Sequence, residues 1–143
     1  MNKNIFYIPL SFAGLFFIFY FLLASSTNFL SVEPGYAIGK ISRWCERISG
    51  GFFREPANAL SNIGFMITGL FMFWILANEK KVEGSRFHGP TLTALTYAGA
   101  AFFLGPGSLL MHGTHTAWGQ WADLLSMIMW ISIPWLVNIF TIK

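Results

Sequence analysis

Four stretches almost free of charge constrain this chain more than any other feature. Ile5 to Ala24 holds no charged residue, nor do Ala57 to Ala77 and Thr91 to Met111, and Trp121 to Phe140 holds only Asp123. A helix that crosses the hydrocarbon core of a bilayer needs about 20 predominantly apolar residues. The runs are continuously apolar and do not alternate with a period of two, so they fit helices and not barrel strands. An all-α integral membrane protein with about four transmembrane helices in a single membrane domain, residues 1–143, is the expected fold. Charged residues make up 10 % of the chain and hydrophobic ones 55 %, against roughly 25 % charged in ordinary soluble domains. That balance excludes a soluble enzyme, a disordered tail and a nucleic-acid-binding protein. The net charge of +3 comes from nine scattered Lys and Arg with no basic stripe, so it reports membrane topology and not a polyanionic partner. Cys45 is the only cysteine, which excludes a disulfide framework within the chain and any Cys-rich metal site.

The first stretch has two readings. Residues 5–24 serve as an uncleaved anchor, or Lys3 opens a signal peptide cleaved near Ala24-Ser25-Ser26. A run of this length exceeds the roughly 7–15 residues of a signal-peptide core, which favours the anchor. Residues 25–56 form a long polar connection, 78–90 a short charged hairpin, and 112–120 an uncharged connection that holds His112 and His115. Pro90 suits the first turn of the third helix. Gly105-Pro106-Gly107 is expected to disturb that helix near its end, and Pro134 to kink the fourth.

Parity then brings distant residues together. If all four stretches span, residues 25–56 and 112–120 lie on one side of the membrane. Glu46, Glu55, Ser108, His112, His115 and Asp123 all approach that face, while the hairpin and both termini lie on the other. Lys3, Lys80, Lys81, Arg86 and Lys143 sit on the termini side, and Lys40, Arg43, Arg47 and Arg54 on the opposite side. This narrow excess of cations favours cytoplasmic termini, and in a bacterial cell it places the protein in the inner membrane.

The polar residues carry both structural and chemical readings. Ser108 and His112 are four apart and share a helical face. Asp123 is the only aspartate and falls in the first turn of the fourth stretch. Ionisable groups in membrane segments are costly and mark a site or a buried pair. Imidazole suits zinc, a carboxylate orients a ligand or activates water, and a serine hydroxyl stabilises an oxyanion. The structural alternatives are an interfacial His112, an Asp123 placed by the helix dipole and a Ser108 bonded back to a carbonyl. His115 lies three residues after His112, a weak metal pattern on its own. Asn58, Ser61 and Asn62 open a membrane helix as caps or as polar contacts between helices. Glu46 and Glu55 are equally readable as solvated charges paired with Arg43, Arg47 or Arg54.

Taken together, these motifs carry a resemblance. Trp44-Cys45-Glu46, the run Arg54-Glu55-Pro56-Ala57-Asn58-Ala59-Leu60-Ser61-Asn62, then Gly105-x-Gly107-Ser108-x-x-x-His112 with Asp123 eleven residues later, resemble the alkaline ceramidase family. That family belongs to a superfamily of seven-helix membrane hydrolases and receptors, and the resemblance covers residues 43–127. It implies that the last three stretches match the first half of a seven-helix bundle. It also implies His112 as one of three zinc-binding histidines, Asp123 as the carboxylate that handles the zinc-bound water, and Ser108 as the oxyanion-side or zinc-proximal hydroxyl. Trp44, Glu46 and Glu55 match positions of a calcium site in animal members.

The chain departs from the family at several points. It holds no His-x-x-x-His pair to supply the other two zinc ligands, which fits a fragment or a reduced relative. Arg43 stands where animal members have Asp, and Ile48 where they have Asn; an arginine there repels a cation. The first stretch is additional to the family's helices. The implied function is zinc-dependent hydrolysis of a lipid amide that enters from the bilayer. A lipid ester hydrolase on the same scaffold, and a non-catalytic subunit or receptor-like relative, are the alternatives.

Overall fold

The computed structural model describes residues 2–26, 46 and 48–139, and among them every regular element is a helix. Helix α1 runs over Asn4–Ser25, α2 over Pro56–Ser61, α3 over Ile63–Asn78, α4 over Leu92–Thr114 and α5 over Ala117–Ile139. α2 and α3 follow one another across Asn62, whose backbone stays near helical angles, and together they make one span, Pro56–Asn78. With that span, four helices are long and apolar enough to cross a membrane. The described residues are therefore all-helical in their regular structure and have the architecture of a multi-pass membrane protein.

α4 is the axis of the bundle. It is the most buried of the four spans, whereas α1 and α5 turn most of their surface outward. The exposed faces carry Phe12, Leu15, Phe19 and Leu22 on α1 and Ile128, Ile131 and Trp135 on α5, a surface suited to lipid. Helices in a bilayer gain little from hiding apolar surface from one another, so close backbone approach carries the packing. Gly69 supplies it between α3 and α4: a Cβ there would lie 2.5 Å from Phe102 Cα and 2.6 Å from its nitrogen.

The helix does not falter at Gly105-Pro106-Gly107 as expected. α4 continues through this triplet to Thr114. The two glycines serve packing: a Cβ on Gly105 would run into Met66, and one on Gly107 would lie 2.6 Å from Ser126 Oγ of α5. A proline in a membrane helix is tolerated where neighbouring helices compensate the freed backbone group. The expected connection over 112–120 also contracts. Only His115 and Thr116 separate α4 from α5, and α5 begins at Ala117. Asp123 consequently lies in the second turn of α5 and not in the first. Pro134 lies inside α5.

The two ends of the bundle are pinned separately. At one end Asn2 N–H donates to Ala77 O at 3.2 Å, which ties the N-terminus to the end of α3. The hairpin 79–91 closes the same end, where Gly89 (φ 72°) lets the chain pass against Lys80 and Lys81, and Thr91 Oγ1 caps α4 by accepting from Ala94 N–H at 3.2 Å. At the other end Arg54 N–H and Glu55 N–H donate to Gly113 O (3.0 Å) and His112 O (2.9 Å), carbonyls in the last turn of α4. Of the expected grouping of residues 25–56 with 112–120, opposite the hairpin, the described part, Glu46 and residues 48–56 beside the end of α4, is arranged as expected.

A matched pair of substitutions tests this packing. Gly69→Ala should lower thermal stability by about 1–3 kcal/mol, the usual range for overpacking. Gly64→Ala on the same helix, where a Cβ meets nothing within 4 Å, should not destabilise. Equal thermal unfolding of the two variants in micelles would contradict the α3–α4 contact.

Candidate functional site

A carboxylate with no solvent exposure forms the centre of the site. Glu55 precedes Pro56, the first residue of α2, and is 0 % exposed. Its Oε2 lies 2.6 Å from His112 Nδ1 and accepts from Asn58 Nδ2 at 3.2 Å. Its Oε1 lies 3.2 Å from His115 Nε2, close enough for charge attraction but off the angle of a hydrogen bond. One buried acid thus faces two imidazoles that are three residues apart.

Local structure explains how both histidines reach it. His112 stands in the last turn of α4, and its ring is partly open to solvent. His115 terminates α4 in the left-handed region (φ 53°, ψ 37°), with its N–H donating to Met111 O at 2.8 Å. That backbone conformation is uncommon for a residue other than glycine, with Asn, Asp and His the usual exceptions. It turns the chain sharply, and the His115 side chain is left almost fully buried. Next to it, Thr114 Oγ1 and Thr116 Oγ1 lie 2.7 Å apart, and Thr116 Oγ1 accepts from Gly119 N–H at 3.1 Å to open α5.

Glu46 does something different from Glu55. Its Oε1 accepts from Ala57 N–H at 2.7 Å and its Oε2 from Asn58 N–H at 2.8 Å, so it caps the N-terminus of α2. A negative charge there also meets the positive end of the α2–α3 dipole. The two carboxylates matched to a calcium site therefore face different partners, one backbone donors and the other histidines. Trp44, the third of that set, lies outside the described residues, as do Arg43 and Cys45. Asn58 bonds Glu55, Asn62 Nδ2 donates to Asn58 O at 2.8 Å, and Ser61 Oγ donates to the same carbonyl at 2.8 Å. Asn58, Ser61 and Asn62 thus stiffen the start of this span.

Ser108 and Asp123 are both buried, on the facing helices α4 and α5. α5 meets α4 where Ser126 and Ala122 pack on Gly107, and again where Gly119 packs on Leu110 and Thr114. Asp123 lies on the stretch between those contacts. Its Oδ1 is buried and has no hydrogen-bond partner among the described residues. Among them, no hydrogen bond joins Ser108 or Asp123 to His112.

The described residues supply one feature of a zinc site but not a ligand set. Pairing of an imidazole nitrogen with a carboxylate, as Glu55 pairs with His112 Nδ1, is the usual way a ligating histidine is oriented toward metal. A catalytic zinc takes three protein ligands, and no group of three His, Cys, Asp or Glu able to hold a metal ion occurs among the described residues. Comparison with known proteins adds no identity: no family model, no curated protein and no solved structure matches the chain.

Burial pushes the His115 pKa below its usual value of 6.5, and the nearby Glu55 charge only partly offsets this. The folded protein therefore binds fewer protons at His115 than the unfolded chain does. Stability should rise with pH through this range and be lost as pH falls below about 6.5. In unfolding scans at pH 7.5 and 5.5, acid should lower the melting temperature, and His115→Gln should flatten the dependence. An unchanged slope in the variant would show that His115 does not titrate this way.

Proposed function

We propose that the chain forms part of a ceramidase-like membrane hydrolase that cleaves the amide of a lipid entering from the bilayer. The observation that supports this reading most is the pairing of buried Glu55 with His112 at the membrane end where Ser108 and Asp123 are also buried. Polar groups are expensive in such a setting and are retained where they act or pair. The resemblance in the motifs around Glu55, Ser108, His112 and Asp123 supplies the reaction class.

Zinc, when bound there, supplies Lewis-acid polarisation of a carbonyl and activation of water at neutral pH. The chain's own residues have separable tasks. Glu55 Oε2 holds the His112 Nδ1 proton and so fixes the ring's rotation. Asp123 Oδ1 takes the proton of the attacking water and returns it to the leaving amine. Ser108 Oγ donates to the oxygen on which charge develops. The apolar faces of α1 and α5 keep the site within reach of lipid.

In a form of the protein that also carries a His-x-x-x-His pair, hydrolysis of an N-acyl lipid should be zinc-dependent. His112→Ala should lose metal and activity together. Asp123→Asn should keep the metal and lose about 10²–10⁴ in rate, and Ser108→Ala no more than about 10²–10³. Residues 1–143 alone should bind zinc substoichiometrically by elemental analysis. Turnover of ester but not amide lipids would change the substrate class. A folded, zinc-loaded form that turns over neither would leave a non-catalytic, receptor-like role.

We also propose, from the cation count, that the hairpin end faces the cytoplasm. An impermeant thiol reagent should then label Cys45 in intact cells. Labelling only after permeabilisation would reverse the orientation.

A further inference from the structure

We infer that Tyr20 is a positioning residue: α1 acts through it as a brace that holds Glu55 against His112. Its bearing on hydrolysis rests on the reading above, but the geometry stands independently. α1 faces outward over most of its length, and its buried residues are only Ala13, Tyr20 and Ala24. Tyr20 is the exception by size. It is 1 % exposed and carries a phenol into an apolar layer, where an unbonded hydroxyl is costly.

The hydroxyl is bonded, and its partner is the segment that delivers the acid. Tyr20 Oη donates to Phe52 O at 2.8 Å. The Tyr20 ring stacks on Phe53, with centroids 5.1 Å apart and planes 13° apart. Phe52 and Phe53 lead directly into Arg54 and Glu55, whose N–H groups bond the carbonyls of Gly113 and His112. Ser49 N–H donates to Arg54 O at 2.7 Å and closes the turn behind them. The phenol also touches α4 itself: a Cβ on Gly113 would collide with Tyr20 Oη and lie 3.0 Å from Cζ. Tyr20 is thus wedged between the 52–55 segment and the last turn of α4, the two pieces whose separation decides whether Glu55 meets His112. Ala24, Ala59 and Leu109 complete the contact around it.

This arrangement makes a specific coupling. Tyr20→Phe keeps the stacked ring and removes Oη. The Arg54 and Glu55 amides should then exchange with solvent about fivefold faster, the loss expected from one net hydrogen bond. The ¹⁵N signal of His112 Nδ1 should move while helix content stays unchanged. Gly113→Ala should perturb both signals in the parent protein and perturb them less in the Tyr20→Phe background, because the atom it would strike first is gone. Non-additivity of this kind is the signature of direct contact.

Unchanged exchange and an unchanged His112 signal in Tyr20→Phe would overturn the inference, as would equal damage from Gly113→Ala in both backgrounds. These readouts do not depend on turnover. If they behave as expected and no lipid is hydrolysed, the brace stands and the hydrolase reading falls.

Discussion

The site end of the bundle depends on satisfying one buried carboxylate. Glu55 has no exposure, and an isolated charge in such a place is strongly disfavoured. The His112 ring and the Asn58 amide answer that requirement at Oε2, while Oε1 faces the His115 ring at 3.2 Å without a hydrogen bond. To bring them in, α4 must run on past Pro106, stop abruptly at a left-handed His115 and receive the 54–55 backbone against its last carbonyls. Removing one member of such a network is costly because the others are left buried without partners.

A second requirement acts along the length of the bundle. Without a hydrophobic force between helices, α4 has to be approached closely on several sides, and small residues face each neighbour: Gly69 of α3 against α4, Gly105 toward α3, Gly107 toward α5 and Gly113 toward α1. The glycines of the Gly105-Pro106-Gly107 triplet, which suggest a helix end in isolation, are packing surfaces in context. This helix positions Ser108 and His112 as a consequence of that packing.

Much of the architecture is legible in the sequence because the bilayer constraint is compositional. Uncharged runs of sufficient length leave few alternatives to spanning helices, and parity alone puts residues 25–56 and 112–120 on one face. The boundaries are less legible. Residues 112–120 are rich in His, Thr and Gly and read as a loop, yet Thr114 Oγ1 folds back on Leu110 O at 2.6 Å and Gly119 fits against Leu110, so helix continues on both sides of a short turn. Within the site, Glu55 and His112 are both conspicuous in the sequence but suggest two separate metal sites. Their contact links residues 57 positions apart, which no local pattern reveals. His115 is undervalued because its importance comes from a left-handed backbone angle, and Tyr20 passes unnoticed because it sits inside an apolar run.

Glu55 and His112 form a direct pair around a fully buried carboxylate. Solid-state NMR on protein in bilayers, with the Glu55 side-chain carboxyl carbon and the His112 Nδ1 isotopically labelled, measures that contact without reference to activity. The N···O separation of 2.6 Å places the labelled carbon one C–O bond beyond that oxygen, so a small but measurable through-space ¹³C–¹⁵N dipolar coupling between the two labels is predicted. A Glu55 carboxyl that couples to no histidine nitrogen would contradict the account.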